Sequence, residues 1–328
     1  MIDLAPVHGG PDSLPEPRYD FSSNANALGP CPHVLAAIRA AEVSRYPDPL
    51  YTRLRERLAE WHHTTPDRVV VGAGASELIL RLVRHFGRTV LQLVPTFSEY
   101  ARGAGIARER LVCAASPESF LRAQRRQDTL AFLCCPNNPT GEVWGPGFVA
   151  TAARQGPLVV DLAYASLCGG ARAAEIEAAA AHAWRLYSPN KAFGVTGVRG
   201  AYLIAPRAPR RLVHEAPSWV IGRDAVAMLE ACMEPPAPAW LAAAIPRLWH
   251  WRAQMAGELR RRCRDVRESP ATFLLAEVGD GARVGRRLRE AGIRVRDAGS
   301  FGLARWIRLS AQPAPARKAL LAALAPCL

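Results

Sequence analysis

The sequence predicts an α/β protein: a mostly parallel sheet covered by helices on both faces. Three observations carry this. From residue 67 onward, short β-branched runs alternate with stretches of helical periodicity. Several runs end in turns rich in Gly, Pro and Asn. The length of 328 residues, 49% of them hydrophobic and 22% charged, suits two domains or one large α/β unit.

The elements follow in order. Residues 68–71 read as a strand and 77–85 as a helix with apolar residues at helical spacing. Residues 89–94 read as strand, 97–104 as helix and 129–135 as an apolar strand. Then come helix 146–155, strand 158–162, an alanine-rich helix over 171–182, and strands 184–187 and 201–205. Beyond Pro206 the pattern changes to long helical stretches over 207–268, broken near Pro235, Pro236 and Pro238. Strand-like runs at 273–278, 293–296 and 306–309 then indicate a smaller α/β unit. The large domain is expected at 45–205. The N-terminal segment 1–44 is expected to join the C-terminal 206–328 in the small one.

The chain carries 42 basic and 29 acidic side chains, a net charge of +13. Only Lys191 and Lys318 are lysines, so 42 − 2 = 40 of the basic residues are arginine. The densest basic run, from Arg260 to Arg267, lies in a helical pattern with no nucleic-acid motif beside it and reads as a solvated face. No uninterrupted apolar stretch reaches membrane-spanning length, and the N-terminus lacks a signal-peptide core, so a cytoplasmic protein is expected. The eight cysteines lack zinc or disulfide spacing, and no metal is expected.

The strongest chemical signal is Ser188-Pro-Asn-Lys191-Ala-Phe-Gly194-Val-Thr-Gly197-Val-Arg199-Gly200. A lysine amine can form a Schiff base with a carbonyl cofactor, which arginine cannot. A serine hydroxyl and a guanidinium suit a phosphate ester. Upstream, Pro136-Asn-Asn138-Pro-Thr-Gly141 and Asp161-Leu-Ala-Tyr164 end strands, and Val71-Gly-Ala-Gly74-Ala75-Ser76-Glu77 joins a strand to a helix. Strand exits are where open α/β sheets bind ligands, and a helix N-terminus attracts phosphate. A dinucleotide fingerprint fails because Glu77 stands where its third glycine belongs.

In this order the motifs resemble those of the class I/II aminotransferase family, pyridoxal-phosphate enzymes of fold type I, over about residues 20–310. The resemblance implies a large domain with a seven-stranded sheet and a smaller α/β domain. It implies that Lys191 bonds the cofactor, that Asp161 pairs with its pyridine nitrogen, and that Asn138 and Tyr164 bond its ring oxygen. Ser188, Arg199 and the backbone at Gly74, Ala75 and Ser76 would hold its phosphate, with Phe97 stacked on the ring. Arg308, in Trp306-Ile-Arg308-Leu-Ser310, would bind a substrate carboxylate. A homodimer is implied, with Tyr46 reaching the neighbouring subunit's cofactor.

Within the family, His8-Gly9-Gly10 resembles the start of L-threonine-O-3-phosphate decarboxylases of cobalamin biosynthesis, while Ser22-Ser-Asn24-Ala-Asn26 resembles the aminotransferase version as much as the decarboxylase one. His8 and Asn26 thereby become candidate substrate ligands. An arginine in the region of Arg296 binds substrate phosphate in this branch and in histidinol-phosphate aminotransferases. Arg294 and Arg296 are both candidates, and alternation in Ile293-Arg-Val-Arg296 puts them on one strand face. The resemblance favours decarboxylation of a small phosphorylated amino acid. A histidinol-phosphate-type or other aminotransferase is the alternative, and a non-catalytic cofactor-binding regulator is a third reading.

Overall fold

The computed structural model describes residues 9–126 and 128–328. A short strand β1 (Tyr19–Asp20) leads to helices α1 (Pro32–Arg39) and α2 (Thr52–Trp61). Then β2 (Val69–Gly72), α3 (Ala75–Phe86), β3 (Thr89–Leu93), α4 (Glu99–Ala107), β4 (Leu111–Ala114), α5 (Pro117–Gln124) and β5 (Thr129–Cys134) alternate. The alternation continues through α6 (Pro146–Gln155), β6 (Leu158–Asp161), α7 (Gly170–Ala179), β7 (Trp184–Tyr187) and β8 (Ala201–Ile204).

These strands form one seven-stranded sheet in the order β2-β8-β7-β6-β5-β3-β4. Only β8 runs against its neighbours, pairing antiparallel with both β2 and β7. The four residues of β2, β6 and β8, and all of β3 and β5, are buried, as sheets covered on both faces require. This sheet is the mostly parallel one that the alternation predicts.

The region after Pro206 is less uniformly helical than its composition suggests. It holds α8 (Arg210–His214), α9 (Arg223–Met233) and the long α10 (Pro236–Arg260), and then a strand, β9 (Val266–Glu268). Pro236 and Pro238 sit in the first turn of α10, where a missing N–H costs nothing, so the prolines start a helix as well as ending one. β10 (Phe273–Glu277), α11 (Gly281–Glu290), β11 (Ile293–Arg294), β12 (Arg296–Asp297), β13 (Trp306–Ser310) and α12 (Ala314–Leu324) complete the chain.

The second sheet has the order β12-β13-β10-β9, while β1 pairs in parallel with β11. A separate apolar cluster, including Phe21, Met255, Leu259, Leu274 and Leu320, packs against it. The expected single strand over 293–296 is thus two. The chain leaves one sheet for another at Val295, so Arg294 and Arg296 do not share a strand face. Among the described residues, no helix is long and apolar enough to cross a membrane.

Candidate active site

The C-terminal ends of β2, β3, β5, β6 and β7 lie at one end of the large sheet, and the loops leaving them converge on a cavity of about 210 Å³. Ala75 and Ser76 come from the β2 exit, Phe97 from β3, Asn138 from β5, Tyr164 from β6, and Ser188 and Lys191 from β7. Arg199 also lines it, because β8 is reversed and starts where its neighbours end.

A cradle for an anion forms at the start of α3. The first N–H groups of a helix lack intrahelical partners and carry the positive end of its dipole. Gly74 caps this helix at φ 89°, and a Cβ there would lie 2.4 Å from a terminal nitrogen of Arg199. The glycine therefore supplies both the left-handed backbone and the space for the guanidinium. Glu77, which breaks the dinucleotide pattern, accepts the Ala73 N–H at 3.1 Å and pairs with the buried Arg81 at 2.7 Å. It braces the turn.

Asp161 is buried at the end of β6. Its Oδ1 accepts the Ala163 N–H at 3.1 Å and its Oδ2 accepts the Tyr100 hydroxyl at 2.9 Å. Burial raises its pKa, against the field of Lys191 and the two donated bonds, which favour the carboxylate. A positively charged group beside it would tip the balance further towards the anion. Tyr100 was not predicted as part of the site. It is fully buried, stacked on Phe132 at 4.8 Å and edge-on to Phe97 at 5.8 Å. Its place three residues after Phe97 on the β3 exit was the available signal. The Lys191 amine lies 5.3 Å from the centre of the Tyr164 ring.

The other end of the cavity is built for negative charge. Arg308 on β13 is buried; it donates to Ser22 O at 2.6 Å and to Asn138 Oδ1, and its Nε has no partner among the described residues. Arg296 on β12 pairs in register with Arg308, donates to Ser300 Oγ at 2.6 Å, and lies 4.8 Å from the Phe301 ring centre. Burial and the like charge of Arg308 push the Arg296 pKa down to about 10. Two buried guanidiniums that repel each other are stabilised by a shared anion. Asn24 lines the same cavity, buried, with neither amide atom hydrogen-bonded among the described residues. Nothing in the sequence separates Asn24 from Asn26 as the residue at the cavity.

The N-terminal segment presses onto this end. Gly10 N–H donates to Ser22 Oγ at 2.8 Å. A Cβ on Gly9 would lie 2.1 Å from Ser22 O and 3.2 Å from Arg308, so only glycine fits there.

Three expected residues lie elsewhere. Asn26 does not line the cavity; its side chain donates to Ala192 O at 3.0 Å and its N–H to Lys191 O at 2.8 Å, tying it to the lysine loop. Tyr46 is exposed and stacked on Trp219 at 4.5 Å, away from its own chain's cavity. Arg294 is bonded to Asp12 and Asp20, both at 3.3 Å, which leaves Arg296 as the arginine at the cavity. His8 lies outside the described residues.

The donor set fits pyridoxal phosphate. A helix N-terminus with Arg199 and Ser188 suits the phosphate, a buried carboxylate suits a protonated pyridine nitrogen, and Lys191 supplies the amine. The family model for aminotransferase class I and II matches residues 17–325. The chain belongs to the class I and II aminotransferases. Members of this family are pyridoxal-phosphate enzymes. A relative of this aminotransferase, the histidinol-phosphate aminotransferase of Rhodospirillum rubrum, is 30% identical, over 94% of this chain and 90% of that one. The histidinol-phosphate aminotransferase of Sinorhizobium meliloti, solved with pyridoxal-5'-phosphate, superposes with a TM-score of 0.84 at 24% identity, covering 95% of this chain and 91% of that one. The L-threonine-O-3-phosphate decarboxylase of Porphyromonas gingivalis does so with a TM-score of 0.80 at 22% identity, covering 93% and 97%. These two likenesses speak for the fold.

Proposed function

We propose that this chain is an aminotransferase acting on a small phosphorylated amine of the histidinol-phosphate type. The observation that carries the proposal is the convergence of Arg296 and Arg308 on the cavity that holds Lys191. Two paired guanidiniums suit a dianion better than a single carboxylate. The name of the Rhodospirillum rubrum relative supports amino transfer.

Bound pyridoxal phosphate supplies an electron sink for the pair left at the substrate's α-carbon. The chain's residues do the rest. Asp161, held by Tyr100 and Ala163, would keep the ring nitrogen protonated. Lys191 would move the proton at the substrate's α-carbon as general base. Arg199, Ser188 and the start of α3 would anchor the cofactor phosphate, and Phe97 would pack on its ring. Arg296, Arg308 and Asn24 would hold the substrate's anionic end and so fix which bond stands out of the ring plane. Tyr46, exposed beside Trp219, would serve the site of a second copy in a homodimer.

A second reading rests on the seat of Gly9 and Gly10 over Ser22 and Arg308. That closure supports the decarboxylase branch, where a carboxylate turned out of the ring plane leaves as CO₂. Two assays separate the readings. Amino transfer from histidinol phosphate to a 2-oxo acid, with no CO₂ from O-phospho-L-threonine, is expected. CO₂ release from O-phospho-L-threonine without amino transfer would replace it by the second.

Arg296→Ala should raise KM for a phosphorylated substrate roughly 10- to 100-fold, as loss of a charged hydrogen bond predicts. Steady-state kinetics with phosphorylated and unphosphorylated amines checks this. An equal change for both would remove Arg296 from the phosphate.

A further inference from the structure

The opposite end of the large sheet holds a second cavity, of about 290 Å³. It lies at the N-terminal ends of β3, β4 and β5, beneath α5. A five-residue strand spans about 17 Å, so it is a full sheet's length from the lysine. Its lining is largely apolar, including Leu91 and Val112, but its rim carries Arg110, Arg122 and Arg126.

None of these three guanidiniums makes a hydrogen bond, an ion pair or a ring contact among the described residues. The arginines of the C-terminal third, by contrast, are mostly tied to carboxylates or carbonyls. Arg122 lies on the last turn of α5 and Arg126 two residues past its end, and both line the cavity. Glu118 feels the field of Arg122 without forming an ion pair with it.

The floor of the cavity holds a second, independent signal. Thr129 is 3% exposed, lines the cavity, and its hydroxyl has no hydrogen-bond partner among the described residues. A buried hydroxyl left unpaired costs about 1–3 kcal/mol, so such groups are normally satisfied. The neighbouring hydroxyls are occupied. Thr89, its register partner on β3, bonds Asp128 at 3.4 Å, and Ser119 donates to Ser116 O at 2.8 Å in the cap of α5.

We propose that this cavity binds a phosphate monoester with a small apolar or aromatic body. The phosphate would take the three arginines and the Thr129 hydroxyl, and the body would lie on the apolar lining. Three cations around one pocket favour a dianion over a carboxylate. The apolar walls favour an ester over inorganic phosphate.

Phenyl phosphate, titrated calorimetrically into the cofactor-loaded enzyme, tests this. The native protein should show two sites per chain, one of them lost in Arg296→Ala. The other should be lost in the double variant Arg122→Ala, Arg126→Ala, with turnover unchanged. Thr129→Val should weaken that second site about tenfold, and Thr129→Ser, which keeps the hydroxyl, should bind like the native protein. One site per chain, abolished by Arg296→Ala, would overturn the proposal. So would binding that Thr129→Val and Thr129→Ser both leave unchanged, since that would reduce it to attraction by surface arginines. Binding of inorganic phosphate as tight as phenyl phosphate would remove the apolar body from the ligand.

Discussion

Lys191→Ala abolishes covalent retention of the cofactor and lowers turnover by at least the 10²- to 10⁴-fold expected from loss of a general base alone. Borohydride reduction followed by mass spectrometry of the intact chain reads the first effect. The native chain should gain the cofactor's mass at one residue, and the variant should gain none. The test is unusually clean because the chain holds one other lysine, Lys318, which sits in α12 and does not line the cavity. Among the described residues the side chain of Lys191 makes no hydrogen bond, so the variant should melt near the native temperature. Unchanged labelling and turnover in the variant would remove Lys191 from the chemistry.

Arg308→Ala is the second large effect, and it combines catalysis with stability. The guanidinium is buried and serves as a three-way junction: Asn138 on the β5 exit, Ser22 near the N-terminus, and the open cavity. Its removal leaves Asn138 Oδ1 and the Ser22 carbonyl without donors, at about 1–3 kcal/mol each. It also relieves Arg296 of a like charge, so the Arg296 pKa should return towards the ordinary guanidinium value. We expect kcat/KM to fall roughly 100-fold or more, with cofactor retention intact. Arg308→Lys separates charge from shape. Lysine keeps the charge but cannot span both acceptors with a rigid fork, so it should recover little activity. Full recovery in the lysine variant would mean that Arg308 acts only as a point charge.

The parts of the fold that were legible in the sequence share one property: local pattern decides them. Val69, Val70 and Val71 are consecutive and buried, and 129–134 is continuous and apolar; both are strands. β4 escaped notice because it is an edge strand in which only Ala114 is buried, so Leu111, Val112 and Cys113 carry no full-burial signature. β9 was read as helix because Val266–Glu268 has one buried residue and two exposed ones, which no period can assign. The lysine loop, Asp161, Asn138 and the Gly74 turn were legible because each is a contiguous motif at a strand exit.

The residues that were missed or misplaced depend on partners distant in sequence. Nothing in the row of letters shows that Tyr100 meets Asp161, or that Asn24, two positions before Asn26, is the one that lines the cavity. Asn26 was chosen by likeness, yet its work is to hold the loop of Lys191. The choice between Arg294 and Arg296 could not be made by alternation, because the chain changes sheets between them.

The reversal of β8 has a consequence for assembly. The phosphate cradle is made from Gly74 and Arg199, which meet only because β8 is laid antiparallel against β2, Gly72 beside Ala201. Those two strands close the sheet at its edge, and the pairing spans nearly all the sequence of the large sheet. Long-range pairings of this kind form late, since the loop between them must be ordered first. On the proposed reading, the nascent chain would have no complete cofactor cradle until its sheet is finished, so cofactor loading would report a completed sheet.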